Sequence, residues 1–475
     1  MKTILLGLLT ILTLNVFAQR LATFELDQSI ILDGISSGEV KFADMNYDGN
    51  MDIIYSGQAN STTPITRLYI NDGTGSFNLK ENSGLPNLRD GSLALGDVDN
   101  DNDIDVVISG FNETANTSTY LCINDGTGIF SIQTYFYEDV VAGSIELADI
   151  DNDSDLDIII TGLDTDDNYF ASVKKNDGAG NFTFSQELTP VFNSKVKFAD
   201  IDNDQDLDLL LTGRNEEGSR VSEMYVNDGN GNFTVQPNTP FTHVENASIQ
   251  FIDIDNDNDL DLFILGVKNY NPKEVVSELY TNDGEGNFSL VQSTNFLEAD
   301  FGFARFADID NDNDLDLFIS GLNIEYYKEC AFYLNDGSGS FSEATYIDIP
   351  AQHQASADFT DLNGDNFPEL VISGYDEDEE VYVYNNVEYD GVSAVNLEDT
   401  NDLHIFPNPA NDFLHINIHP TSERIKIEII NSFGIVALHQ TVNQNNGNVT
   451  ISIADLSPGV YFVKINGLTQ KFIKN

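Results

Sequence analysis

The feature that most restricts this chain is a run of alternating aspartates that returns at a nearly fixed interval. Its clearest copy reads Asp200-Ile201-Asp202-Asn203-Asp204-Gln205-Asp206-Leu207-Asp208, followed by the apolar stretch Leu209-Leu210-Leu211-Thr212-Gly213. The first acidic position recurs at Asp44, Asp97, Asp149, Asp200, Asp253, Asp308 and Asp361, in steps of 51 to 55 residues. Such regularity marks an internal repeat, in which one supersecondary unit buries its apolar face against copies of itself. A second marker follows 27 residues after the first (29 in the fifth unit). It is an Asn-Asp-Gly turn opened by Asn71, Asn124, Asn176, Asn227, Asn282 and Asn335, then a second glycine and a phenylalanine.

Each unit resolves into four short strands. In the fourth unit these are residues 196–199, 207–212, 222–226 and a strand leaving from Phe233. The acidic loop joins the first two, and the Asn-Asp-Gly turn, whose residues tolerate positive φ, joins the last two. Four antiparallel strands in about 53 residues, seven times over, is the pattern of a radial propeller. A linear solenoid would use shorter repeats and need caps. The seventh unit lacks its glycine hairpin after Tyr384-Asn385-Asn386, while Thr23-Phe24-Glu25-Leu26 precedes the first acidic loop as a fourth strand would. The start of the chain is therefore expected to complete the last unit through Phe24, leaving neither edge unpaired.

The ends differ from the middle. Residues 1–19 open with Lys2, continue apolar and close on Ala18-Gln19, as a cleaved secretory leader does. No later stretch has the roughly 20 apolar residues of a membrane-spanning helix. From Thr400 onward acidic and basic side chains balance at five each, although the whole chain has 79 acidic and 21 basic residues and a net charge of −58. Alternating runs such as Phe413-Leu414-His415-Ile416-Asn417-Ile418 predict a small antiparallel sandwich there. The fold expected is all-β: a seven-bladed β-propeller over residues 20–392, a linker over 393–402, and a small β-sandwich over 403–475.

Crowded carboxylates disfavour joint ionisation unless a cation lies among them. Calcium takes six to eight oxygens, and aspartates at alternate loop positions can converge on it. The side chains of positions one, three, five and nine are the candidate ligands, with the backbone carbonyl of position seven. In the five central units these positions, seven included, are Asp97, Asp99, Asp101, Asp103 and Asp105; Asp149, Asp151, Asp153, Asp155 and Asp157; Asp200, Asp202, Asp204, Asp206 and Asp208; Asp253, Asp255, Asp257, Asp259 and Asp261; and Asp308, Asp310, Asp312, Asp314 and Asp316. The first unit offers Asp44, Asn46, Asp48, Asn50 and Asp52, and the seventh Asp361, Asn363, Asp365, Phe367 and Glu369. Up to seven Ca²⁺ ions follow. Position six favours a left-handed backbone, met by Gly49, by Asn102, Asn258 and Asn313, and less comfortably by Ser154 and Gln205. A soft-metal site is excluded in the repeats, where the histidines are His243 and His353 and no cysteine clusters with them. Cys122 and Cys330 fall in units that are not neighbours and are expected as buried free thiols, with His243 and His353 at the surface.

The charge excludes nucleic acid as a direct partner, since nothing offsets repulsion from phosphates. Both repeat markers fall on one face. The other carries loops that differ between units, at 111–119, 163–170, 214–220, 267–276, 322–329 and 375–380, with Arg89, Tyr137, Phe192, His243, Phe296 and His353 at the fourth-strand exits. Varied loops on a constant scaffold mark a binding face. No nucleophile elbow or phosphate cradle is present, and no carboxylate pair stands apart from the loops.

The Asp-x-Asp-x-Asp-x-x-x-Asp loop with Asn-Asp-Gly-x-Gly-x-Phe resembles the FG-GAP/VCBS repeat of integrin α-chain-like propellers, over residues from about 21 to 388. That resemblance implies a seven-bladed propeller with Ca²⁺ in its loops. The tail, through Phe406-Pro407-Asn408-Pro409-Ala410-Asn411-Asp412, Asn431-Ser432-Phe433-Gly434 and Leu456-Ser457-Pro458-Gly459-Val460-Tyr461, resembles the C-terminal sorting domain of the type IX secretion system of Bacteroidota. It implies recognition by that machinery and a secreted or outer-membrane surface-attached product. The function expected is a binding or adhesion module, with an extracellular glycan or protein ligand on the variable-loop face. The alternatives are a carbohydrate-active lyase or hydrolase and a purely structural surface protein.

Overall fold

The computed structural model describes residues 22–60, 62–133, 138–292, 294–347, 349–375 and 378–388, and in the C-terminal part 404–406, 410, 413–417, 424–431, 436–443, 448–454, 456–457, 459–465 and 468–474. The leader over 1–19, the linker over 393–402 and Tyr137 lie outside these residues. Two compact units divide the chain, Met1–Val387 and Glu388–Asn475. The division falls a few residues before the expected end of the repeats. Every regular element among the described residues is a β-strand.

Each repeat makes a four-strand array. In the first it comprises Ser36–Ala43, Asp52–Ala59, Thr63–Asn71 and Phe77–Leu79, paired antiparallel in that order. The second strand is buried on both faces, as Ile53, Ile54 and Tyr55 or Leu209, Leu210 and Leu211 illustrate, all at 0 % exposure. That is why the sequence there is a continuous apolar run and does not alternate. The ninth loop residue opens this strand in every unit, from Asp52 to Glu369, so the strand starts beyond Leu207 in the fourth unit. One connection differs from expectation. The fourth strand of unit three and the first of unit four are a single strand, Thr183–Ala199, which pairs with Tyr169–Lys175 through its first half and with Asp208–Arg214 through its second.

The apolar clusters lie between consecutive units. Ile54 and Leu68 pack with Val106 and Ile108, Leu210 with Leu262 and Ile264, and Phe318 and Phe332 with Leu370 and Ile372. The last unit packs in turn on the first, where Val371, Val381 and Val383 share a cluster with Ile53, Tyr55 and Tyr69. Each unit thus depends on two neighbours for its core. The seventh sheet has strand order Ala22–Leu26, Glu379–Glu388, Glu369–Tyr375, His353–Thr360. The N-terminal strand is therefore its outer member. Phe24 is 5 % exposed and stacks on Phe332 with ring centroids 5.1 Å apart.

The first strands surround a cavity of about 260 Å³ that touches every unit, through Ser37, Gly91, Gly143, Ser194, Ala247, Gly302 and Ala355. Beside it each unit carries one non-glycine residue in the left-handed region, from Ser37 and Asp90 to Phe301 and Gln354. Ion pairs cross between first strands, Lys195 Nζ to Glu39 Oε1 at 2.8 Å and Lys197 Nζ to Glu146 Oε1 at 2.9 Å. Glu39 thereby keeps its carboxyl well below the usual range, the lysine charges overcoming the burial that would raise it.

In the C-terminal unit a three-stranded sheet (His404–Phe406, Phe413–Asn417, Asn448–Ser452) and a four-stranded sheet (Val436–Asn443, Arg424–Asn431, Gly459–Ile465, Leu468–Lys474) contribute to one cluster containing Leu414, Ile451, Ile427, Val463 and Phe472.

Cys122 is buried, but Cys330 is only half-buried, its Sγ donating to the Ile349 carbonyl at 3.3 Å; neither is in a disulfide. Truncating Phe24 to alanine should cost about 3–5 kcal/mol, the range for a buried aromatic ring. Urea denaturation measures it, and a loss under about 1 kcal/mol would show that the N-terminal strand is dispensable.

Candidate metal centres

Each acidic loop is a tight coil with two residues in the left-handed region. Position six has φ between 67 and 87° in all seven units, including Ser154 and Gln205. Position four is left-handed as well: Tyr47, Asn100, Asn152, Asn203, Asn256, Asn311 and Gly364. This curls the backbone around the position-one carboxylate, which accepts hydrogen bonds from the amides of positions five and six. In the second unit Asp101 N donates to Asp97 Oδ1 at 3.1 Å and Asn102 N to Oδ2 at 2.9 Å, and the other units repeat the pair. The position-nine carboxylate is buried beneath the coil. Asp208 accepts from Ile201 N at 3.4 Å and from Asn227 N at 2.8 Å, binding the loop to the Asn-Asp-Gly turn.

Five loops bring three carboxylate oxygens within 4.8 Å of one another: Asp97, Asp99 and Asp101; Asp149, Asp151 and Asp157; Asp200, Asp202 and Asp204; Asp253, Asp255 and Asp261; Asp308, Asp310 and Asp316. Positions one, three, five and nine are all represented, and position seven is not. In four of these loops Oδ1 of the third-position aspartate, in Asp99, Asp151, Asp202 and Asp255, is buried without a hydrogen-bond partner. A buried acceptor in that state costs on the order of 1–3 kcal/mol. An oxygen-only donor set that includes a buried, unsatisfied oxygen fits a hard cation such as Ca²⁺, although in the third loop Lys175 Nζ already lies 2.8 Å from Asp151 Oδ2. The first and seventh units form no such group among the described residues. Asn46 Nδ2 donates to Asp48 Oδ2 at 2.8 Å, and Asn363 Nδ2 donates to Glu369 Oε1 at 3.0 Å. Glu369 nevertheless takes the ninth place, accepting from Leu362 N at 2.7 Å.

The position-seven side chains join neighbouring units. Asn100, Asn152, Asn203 and Asn256 each donate through Nδ2 to the position-seven carboxylate of the next unit, Asp155, Asp206, Asp259 and Asp314, at 2.7–2.9 Å. The loops are thus linked edge to edge from the second unit to the sixth. Tyr47 in the first unit and Phe367 in the seventh lack the required groups. The same carboxylates press on the turn. A Cβ on Gly178 or Gly229 would lie 2.4–2.6 Å from Asp155 or Asp206, at φ of 73–75°. The Asn of each turn reaches further: Asn227 Nδ2 donates to Ile150 O, in the preceding unit's loop, at 2.8 Å. The legible signal was the asparagine that recurs at position four.

Burial raises the position-nine carboxyls: Asp52, Asp157 and Asp261 to about 6, Asp105, Asp208 and Glu369 to about 7, and Asp316 to about 8. Asp99, Asp202 and Asp255 are raised too, by burial first and then by adjacent carboxylates.

On the opposite face, Phe192 meets Tyr169 edge-on at 5.0 Å with Arg214 5.8 Å from its ring, and Arg89 lies 5.3 Å from the Phe111 ring. Phe296, expected there, is instead packed against Phe263, Tyr333 and Phe341. His243 is exposed and its Nδ1 accepts from Ser222 N at 2.8 Å. His353 is half-buried, not a free surface group, and sits edge-on to Tyr375 at 5.5 Å.

The chain carries FG-GAP-like repeats, matched over residues 44–108, 97–160 and 200–264. Residues 404–475 are a secretion system C-terminal sorting domain, which directs export through the type IX system to the cell surface or extracellular space. No curated protein sequence matches the chain. Among solved structures it is similar to Aleuria aurantia lectin in complex with α-methyl-L-fucoside (8 % identity, TM-score 0.38, 65 % of this chain and 96 % of that one). It is also similar to the V. cholerae biofilm matrix protein Bap1 (11 % identity, TM-score 0.34, 93 % and 87 %) and to a thermostable family-43 glycoside hydrolase (8 % identity, TM-score 0.30, 58 % and 98 %). Among the described residues no helix is long and apolar enough to cross a membrane.

The raised carboxyls set a pH dependence. In the metal-free folded chain they keep protons up to pH about 6–8, whereas unfolded aspartates ionise near 4. Between those limits the folded state binds more protons, so stability falls as pH rises. Chelator-treated protein should melt at a higher temperature at pH 5 than at pH 8, and the opposite order in a calorimetric scan would contradict the burial of these groups.

Proposed function

We propose that this chain is a calcium-stabilised, seven-bladed β-propeller, followed by a small β-sandwich sorting domain, that acts at the cell surface as a non-catalytic binding or adhesion module for extracellular glycan. The observation that carries the calcium assignment is the buried, unpartnered third-position oxygen repeated in Asp99, Asp151, Asp202 and Asp255. Support for the seven-bladed ring comes from the cluster shared by the last and first units and from a cavity touching all seven first strands. Ions in the loops would fix one face, leaving the hairpins of the other free to vary with the ligand. That face carries exposed Tyr270, Phe301, Tyr326 and Tyr327, rings suited to stack on sugars.

Each calcium site at a hundredfold excess over its Kd adds about 2.7 kcal/mol. Chelation should therefore lower the melting temperature by more than about 10 °C, since several sites act together. An unchanged melting temperature would defeat the metal assignment. Asp202→Ala should remove one ion from the count obtained by native mass spectrometry, and an unchanged count would remove Asp202 from the ligand set. The binding role is tested by glycan-array binding of the calcium-loaded protein. Silence on the array, or turnover of a bound polysaccharide, would overturn it.

A further inference from the structure

On the face opposite the acidic loops, two consecutive joints between units present the same three chemical groups. Between the fifth and sixth units Lys273 Nζ lies 3.1 Å from Asp300 Oδ2 and 3.8 Å above the ring centroid of Tyr326. Between the fourth and fifth units Arg220 Nη2 lies 2.7 Å from Glu245 Oε1, and the guanidinium is 5.5 Å from the ring centroid of Tyr270. The acids are buried, each with a side chain 1 % exposed, whereas Tyr326 is 65 % and Tyr270 40 % exposed. The joints adjoin. The Tyr270 phenol is pushed up to about 12, by burial first and then by the Asp300 charge, and its hydroxyl accepts from Asn246 Nδ2 at 2.8 Å.

These ion pairs are incomplete as hydrogen-bonding systems. Lys273 Nζ and Asp300 Oδ2 are close but not aligned as donor and acceptor, and neither has another hydrogen-bond partner; Glu245 Oε1, 2.7 Å from Arg220 Nη2, likewise has no aligned donor, and Arg220 Nε has no acceptor. Buried polar atoms are normally satisfied, so exceptions of this kind call for a further partner, a water or a ligand. A ligand with adjacent hydroxyls supplies a donor to the carboxylate and an acceptor to the cation, while its C–H face rests on the tyrosine ring. An apolar ligand would leave these atoms unsatisfied, and an anionic one would meet two carboxylates on a chain of net charge −58.

The backbone adds an independent indication. Four hairpins on this face share one turn, closed by a bond from the first turn residue's amide to the fifth's carbonyl, at Asn112, Asp164, Asn215 and Asn323. Their left-handed position is Ala115, Asp167, Gly218 and Tyr326, with φ between 57 and 79°. Glycine takes that conformation freely, and a bulky residue there is an outlier. Tyr326 holds a largely exposed ring in a backbone position that glycine would fill with less strain.

We propose that the row Arg220, Glu245, Tyr270, Asp300, Lys273 and Tyr326 is the binding site for a neutral glycan, with successive sugar rings stacked on Tyr270 and Tyr326. This rests on the proposed role as a glycan-binding module and names its site and substrate class. The calcium-loaded full chain is titrated with soluble mannan, galactan, xylan and β-glucan, with alginate as the anionic comparison, by affinity electrophoresis and calorimetry. At least one neutral polysaccharide binds and alginate does not. Tyr326→Gly melts at or above the wild-type temperature yet binds at least tenfold more weakly, Asp300→Asn weakens binding similarly, and Tyr326→Phe retains it. With two sugar subsites acting on one polymer, Tyr326→Gly combined with Tyr270→Ala abolishes binding. Wild-type binding that persists unchanged in Tyr326→Gly and Asp300→Asn overturns the site while leaving the broader module intact. Failure of every neutral polysaccharide, or preference for alginate, overturns the neutral-glycan assignment. A Tyr326→Gly variant that melts below wild type assigns the ring to packing and overturns the argument from strain.

Discussion

Three carboxylate oxygens held within 4.8 Å of one another, five times over, are the interaction on which the rest of this structure depends. Burial first, and then repulsion from neighbouring carboxylates, opposes ionisation there, which is why the position-nine carboxyls rise to between about 6 and 8. The backbone still wraps each cluster with amide donors, and those bonds favour the ionised form. The proposed divalent cation would reconcile the two tendencies, turning converging negative charge from a cost into coordination. The net charge of −58 reads differently in that light. Much of it is concentrated at sites where an ion would offset it, and the residues from Thr400 onward carry none.

The position-nine residue transmits this local constraint to the fold. It opens the buried second strand and accepts from the amide of the Asn-Asp-Gly turn, so loop, central strand and hairpin form one rigid assembly. The asparagine of that turn reaches the preceding loop, and the position-four asparagines reach the next. Apolar clusters then join consecutive units, the last with the first, and Phe24 occupies the outer edge that would otherwise be open. The consequence is a division of labour between faces. The loop face is tied by repeated hydrogen bonds, and the opposite face, built from hairpins outside that network, carries differing side chains.

Repeat length, strand order within each unit and the left-handed sixth position were all legible in the sequence, because each follows from local rules of spacing and turn chemistry. The end strand at Phe24 was legible for a related reason: a unit missing a strand and a strand missing a unit imply one another. Contacts between units were not. Asn203 and Asp259 are 56 residues apart, and only the assembled units bring them to 2.9 Å. Phe296 was expected on the variable face as a fourth-strand exit, but it packs on Tyr333 and Phe341 of the adjacent unit. The continuity of Thr183–Ala199 escaped for lack of a signal, since a connection without glycine reads equally as loop or strand. The pairing of Lys273 with Asp300 and Tyr326 spans two units and has no local motif at all.

A crystal structure of the calcium-loaded protein, with anomalous scattering used to locate the ions, tests the central claim most directly. The account predicts an ion in each of the second to sixth loops, with Asp99, Asp151, Asp202 and Asp255 each supplying the oxygen that now has no partner. Metal–oxygen distances should fall at about 2.3–2.6 Å. Loops without anomalous density at millimolar calcium, with those oxygens still unpartnered, would contradict it.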